Sequence, residues 1–171
     1  MTINEMEQAG LVFKNSLDFE RVTIREEARW PDLLGKIGAW LRKEKPPSAN
    51  AVTIGQHVFF PRKLAVIFTA SSGKGLTDTA WLIHELTHVW QFQNLGAWYS
   101  LKTAWLHLKS RHNIYDYGGQ EELEQRTAIG EGFLSFNQEQ QGEITRDYYL
   151  RLKRNLDLSA WEPYIREIQQ F

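Results

Sequence analysis

The chain has 171 residues, 42% of them apolar, with seven Trp, nine Phe, no cysteine and a formal net charge of −1. That length and composition predict one domain, residues 1–171, able to bury a core without staples. A near-neutral charge argues against a nucleic-acid partner or an anionic membrane surface, and the lack of cysteine excludes disulfides, thiolate metal sites and cysteine nucleophiles.

The N-terminal stretch "MTINEMEQAGLVFKN" has acids where a signal peptide needs a basic start and an unbroken apolar core. No apolar run reaches membrane-spanning length. The expectation is a soluble chain, cytoplasmic or exported by a signal-peptide-independent route, with no membrane insertion. Residues 1–20 are mixed in character and expected to be loosely ordered. From about Thr23 to Lys45, apolar Leu33, Leu34, Ile37, Trp40 and Leu41 recur at helical spacing, and "KPPSAN" at 45–50 ends that helix. "AVTIG" and "HVFFP", separated by Gly55 and Gln56, then read as a β-hairpin, with "LAVIFT" at 64–69 as a third strand. "SSGKG" at 71–75 is a turn. It fails the phosphate-loop pattern, because Phe68 stands where the first glycine should be and Gly75 follows Lys74.

Beyond that turn the pattern is helical. Thr77 or Asp78 is placed to cap a helix that runs to about Asn94 and is closed by Gly96. A second amphipathic helix is expected over 97–111, a turn at 115–119, and further helices over roughly 120–134, 137–155 and 160–170. The fold class is therefore α+β, mostly helical, with a small hairpin or three-stranded sheet ahead of the helix at 77–94.

That helix contains "HELTH", with His84 and His88 four residues apart and so on one face. Leu82, Ile83, Leu86, Val89 and Trp90 fall on the opposite side as an apolar back. Two neutral imidazoles at this spacing can hold one Zn²⁺, and Glu85 beside them can take a proton from a zinc-bound water. A third protein ligand is still required. His107 and His112 lie on or beside an ordinary amphipathic helix, and His57 sits at the hairpin, where packing or hydrogen bonding explains it. In "FNQEQQGEITRDYYLRL", Glu139, Glu143 and Asp147 recur every four residues as an acidic stripe. Stacked like charges destabilise a helix unless offset, by a cation or by Arg146 and Arg151. Glu139 is the preferred third ligand and Glu143 the alternative; Glu143 or Asp147 would orient a histidine from behind.

On these residues the chain resembles the metallopeptidase-type domain found with bacterial extracellular contractile injection systems and labelled Vgr- or Rhs-related in short relatives. That family has an "A-x-T-x-G-x-x-I-F-F" hairpin followed by "A-H-E-L-T-H-V-V-Q-Q". The matching residues are Ala51, Thr53, Gly55, Val58, Phe59 and Phe60, then His84, Glu85, Leu86, Thr87, His88, Val89 and Gln91. Ile83 and Trp90 depart from it, away from the proposed chemistry. The stretch from Glu139 also resembles the Glu-x-x-small-acid ligand helix of gluzincin-type peptidases, with Glu143 where those have Asp. The resemblance implies a zincin-like fold and a zinc-dependent peptidase acting on a peptide or protein, associated with a secretion or contractile injection system and its proteins. Delivery as a toxin-type effector is a variant of the same reading. An extended substrate would pair with a strand of the 50–69 region, and Tyr115, Tyr117 or Tyr148 would stabilise the oxyanion. The alternative is a zinc-containing binding or assembly module without hydrolysis, in which Trp98 and Trp105 contribute to an interface.

Overall fold

Thr2 and Glu5 start the first helix, α1 (Ile3–Phe13), with a capping box: each side chain accepts the other residue's backbone N–H. Its inner stripe buries Ala9, Val12 and Phe13 in the core. The computed structural model describes residues 1–28, 30, 51–66, 73–99 and 114–171. Residues 1–20, expected to be loosely ordered, are thus a capped helix followed by a 3₁₀ turn at Phe19–Arg21. The mixed composition misled because one polar position on the stripe, Gln8, is buried and satisfied, accepting from the Tyr149 hydroxyl at 2.7 Å.

Three short strands form one sheet in the order β1 (Thr23–Arg25), β3 (His57–Phe59), β2 (Val52–Ile54). Strands β2 and β3 are the expected antiparallel hairpin, with Ile54 opposite His57. Gly55, at φ 59, occupies the first central position of the two-residue turn, where type II′ geometry favours glycine. The described part of the expected third strand, residues 64–66, is not a strand. Residues 64–66 are irregular because carboxylates take their amides: Leu64 N–H donates to Glu26 and Ala65 N–H to Asp78. In its place Thr23–Arg25, assigned from sequence to the start of a helix, pairs parallel to β3. β-Branched Thr23 and Ile24 suit that strand. Residues 26–28 are irregular rather than helical, with Glu27 at φ 58, while 29, 31–50, 67–72 and most of the expected 97–111 helix lie outside the described residues.

Helix α2 (Gly73–Leu95) is the central element. It begins earlier than its expected caps. Thr77 bonds back to the Gly73 carbonyl, and Asp78 is buried in a bidentate pair with Arg62, so both lie within the helix. Gly96 closes it as expected, at φ 87 with its N–H on the Phe92 carbonyl. After the Gly118–Gly119 turn come α3 (Gly119–Ala128), a 3₁₀ turn at Phe133–Ser135, α4 (Gln138–Lys153) and α5 (Glu162–Gln169). Helix α3 ends six residues before the expected position 134, with Gly130 at φ 78 just beyond it.

The core lies where α1, α4 and α5 enclose the apolar back of α2, with Leu82, Ile83, Leu86, Val89 and Trp90 fully buried. Helix α4 is the most extensive partner of α2. Among the described residues no helix is long and apolar enough to cross a membrane.

Candidate metal centre

Close approach of α2 and α4 builds the site. Thr87 and Thr145 meet through their hydroxyls at 2.6 Å, and Gly142 faces the His84 ring. A Cβ at Gly142 would lie 2.7–2.9 Å from three ring atoms, closer than real contacts allow. Small residues thus let the histidine face of α2 lie under the acidic face of α4. Asn137 fixes the beginning of α4 by accepting the N–H groups of Glu139 and Gln140. Glu139 sits in the first turn, where the helix dipole favours a carboxylate.

His84, His88 and Glu139 converge there. Glu139 Oε2 stands 3.2 Å from His84 Nε2 and 3.6 Å from His88 Nε2, and one ligand atom from each residue lies within 4.8 Å of the others. A four-coordinate zinc with bonds of about 2.0–2.1 Å spaces its ligand atoms roughly 3.3–3.4 Å apart. These two separations bracket that value, and two imidazoles with one carboxylate are a donor set suited to zinc. The residues fit the ion.

Electrostatics point the same way. Exposure is only 6% at His84 and Glu85 and 5% at Glu139, so carboxylates are held away from water beside two imidazoles. Burial opposes charging of His84, but Glu139, Glu143 and Glu85 outweigh it and its pKa is pushed up to about 10. At His88 burial again opposes the charge, Glu139 reverses the balance, and the shift is upward. Carboxylates that demand a positive charge this strongly keep the neighbouring imidazoles protonated when no metal cation is present.

The other candidates divide clearly. Glu143 is not in the converging set. Its Oε1 lies 3.0 Å from His84 Nδ1, close but out of line for a well-directed hydrogen bond, and its carboxylate is also paired with Arg146. It stands behind His84, as one of the expected orienting acids. Asp147 does not: it accepts from the Tyr117 hydroxyl at 2.8 Å, and Tyr117 in turn accepts from Trp161. Tyr115 places its ring beside His84, with centroids 6.2 Å apart, and burial followed by the nearby Glu139, Glu85 and Glu143 pushes its hydroxyl pKa up. Burial and Glu162 are the main influences raising that of Tyr148. His57 is exposed on β3, while His107, His112 and Trp105 lie outside the described residues. Trp98, 86% exposed, borders that region.

Two contacts escaped the reading of the residues. Thr53 on β2 donates to Glu85 Oε2 at 2.7 Å, so the hairpin holds the carboxylate next to the histidines. Gln91 Oε1 lies 2.9 Å from His88 Nδ1. Both belong to the motifs quoted above, but spacing alone does not show that a strand hydroxyl reaches a helix carboxylate.

The chain is 27% identical, over 98% of its length, to the type VI secretion system spike protein VgrG2b of Pseudomonas aeruginosa, of which it spans 14%. No solved structure matches it. Both sequence matches tie the chain to contractile injection and secretion systems. Residues 8–96, more than half of the chain and including the hairpin and the histidine helix, match the eCIS core domain model, and the chain belongs to that family.

Proposed function

We propose that this chain is a zinc-dependent peptidase working within a contractile injection or secretion system. The observation that carries the reading is the convergence of His84, His88 and Glu139 beside a carboxylate, Glu85, that is held but not consumed by the cluster. His84, His88 and Glu139 would hold the ion. Bound zinc supplies Lewis acidity, lowering the pKa of water from about 15.7 toward 7 and polarising a scissile carbonyl.

The chain's own residues do the rest. Glu85 follows His84 directly, so its carboxylate projects beside the imidazoles, and Thr53 anchors one of its oxygens. The other oxygen is left to accept a proton from an attacking water and return it to the leaving amine. Tyr115, adjacent to His84 and kept protonated by its surroundings, is the best placed of the three tyrosines to donate to a developing oxyanion. β2, at one side of the sheet and bearing Thr53, is the strand along which an extended peptide would pair.

Glu85→Gln keeps the shape and the Thr53 contact's acceptor oxygen but cannot take a proton. Zinc content is expected to stay at the wild-type level, while peptide hydrolysis falls on the order of 10²–10⁴-fold. Undiminished cleavage by that variant would remove Glu85 from the mechanism. A second reading, a zinc-holding assembly module without hydrolysis, draws support from the relative's description as a spike protein. Zinc-loaded wild type that cleaves no member of a peptide library, yet binds a secretion-system protein as well as a His84→Ala, His88→Ala double variant does, would favour it.

A further inference from the structure

We infer that Gln91 is a positioning residue that holds the Nδ1 proton of His88 and so leaves Nε2, which faces Glu139, as the nitrogen that binds a metal ion, and that Gln141 sets the direction of Gln91. The inference rests on the metal-centre reading above and adds to it the device that orients one ligand.

The direction of both amides is set by groups that cannot turn round. The backbone carbonyls of Phe133 and Phe136 are acceptors only, and the Gln141 side chain meets both, at 3.2 and 3.0 Å. Gln141 must present its NH₂ to them, because the flipped amide would set oxygen against oxygen twice. The Tyr99 hydroxyl, also 2.8 Å from Gln141 Nε2, can accept or donate and imposes no direction. With its nitrogen so committed, Gln141 turns its oxygen to Gln91, which must then offer its own NH₂, at 2.8 Å. The same nitrogen reaches a second fixed acceptor, the Gln138 carbonyl, at 3.0 Å. Gln91 therefore has only its oxygen left for His88 Nδ1, 2.9 Å away, and an oxygen there requires an N–H on the ring. Gln91 and Gln141 are 1% and 0% exposed, so water cannot relax the chain of constraints. With Nδ1 committed to Gln91, Nε2, which faces Glu139, is the ring nitrogen left to exchange its proton for a metal ion.

The test compares wild type, Gln91→Met and Gln91→Glu for Zn²⁺ affinity by chelator competition and for metal-free melting temperature. Gln91→Met removes the acceptor facing Nδ1 and is expected to weaken zinc binding about 10- to 100-fold. Gln91→Glu keeps an acceptor there but opposes its second oxygen to Gln141 and Gln138. It is expected to lower the melting temperature further than Gln91→Met while holding zinc within a few-fold of wild type. A purely structural role predicts that affinity follows stability, so Gln91→Glu would bind worst; that ranking, or unchanged affinity in Gln91→Met, overturns the inference and leaves the metal centre intact. Failure of wild type to bind zinc overturns both. Should the variants not fold, wild type loaded with a spin-active cadmium isotope and labelled with ¹⁵N decides. Metal–nitrogen coupling at Nε2 of His88 is expected, and coupling at Nδ1 overturns the inference.

Discussion

At the scale of single residues, chemistry and packing meet at Gly142. The sequence shows it as a small residue between two acids, which suited a ligand helix without saying why it must be small. The fold supplies the reason: the His84 ring occupies the volume a side chain would fill. Gly142→Ala is therefore expected to push the ring or α4 aside, costing about 1–3 kcal/mol of stability in urea unfolding. Zinc affinity should fall more than fold stability alone predicts, because a ligand is displaced; wild-type zinc affinity in a folded Gly142→Ala protein would refute that. His84, Glu85 and His88 were legible because their spacing is set by one helix. Glu139 was legible only as one of three stripe residues, since the choice among them depends on the crossing of two helices.

At the scale of elements, the site depends on where α4 begins. Asn137 is the cap, with Gln140 completing the box, and Glu139 hangs from the turn they fix. Asn137→Ala is expected to cost about 1 kcal/mol, or roughly 2–4 °C of melting temperature for a chain this size. Hydrogen exchange should accelerate in the first turn of α4, with zinc binding weakened in parallel; unchanged exchange there would mean the cap does not hold the ligand. Helix α2 shows why its sequence boundary was misplaced. Thr77 and Asp78 have capping chemistry, but Asp78 is drawn into the buried pair with Arg62 and the Ala65 amide, a long-range partnership that no local pattern reveals. The same partnership takes Ala65 out of the expected strand. Strand β1 was missed for a related reason: three residues carry too little periodicity, and pairing with a hairpin some 30 residues away decides their conformation.

At the scale of the whole molecule, the α+β class, the hairpin and the succession of α2 to α5 followed from hydrophobic period and turn residues, while α1 and the parallel β1 pairing did not. Charge at the buried cluster also gives the molecule a pH signature. The folded pKa of His84, about 10, lies above its ordinary value of 6.5. A raised pKa contributes stability that is fully present below 6.5 and is lost as pH rises through about 10. Metal-free protein should therefore lose melting temperature across that interval. Zinc-loaded protein should show much less of this loss, since the ion replaces the proton and binds more tightly as pH rises. Parallel pH profiles for the two forms would contradict the linkage. The central claim, that His84, His88 and Glu139 form the metal centre with Glu143 behind it, is tested most directly by zinc stoichiometry in purified wild type, Glu139→Ala and Glu143→Ala. The account predicts one zinc per chain in wild type, loss of zinc in Glu139→Ala, and zinc retained in Glu143→Ala with about 10- to 100-fold weaker affinity. Zinc held by Glu139→Ala and lost from Glu143→Ala, or no zinc in wild type, would contradict it.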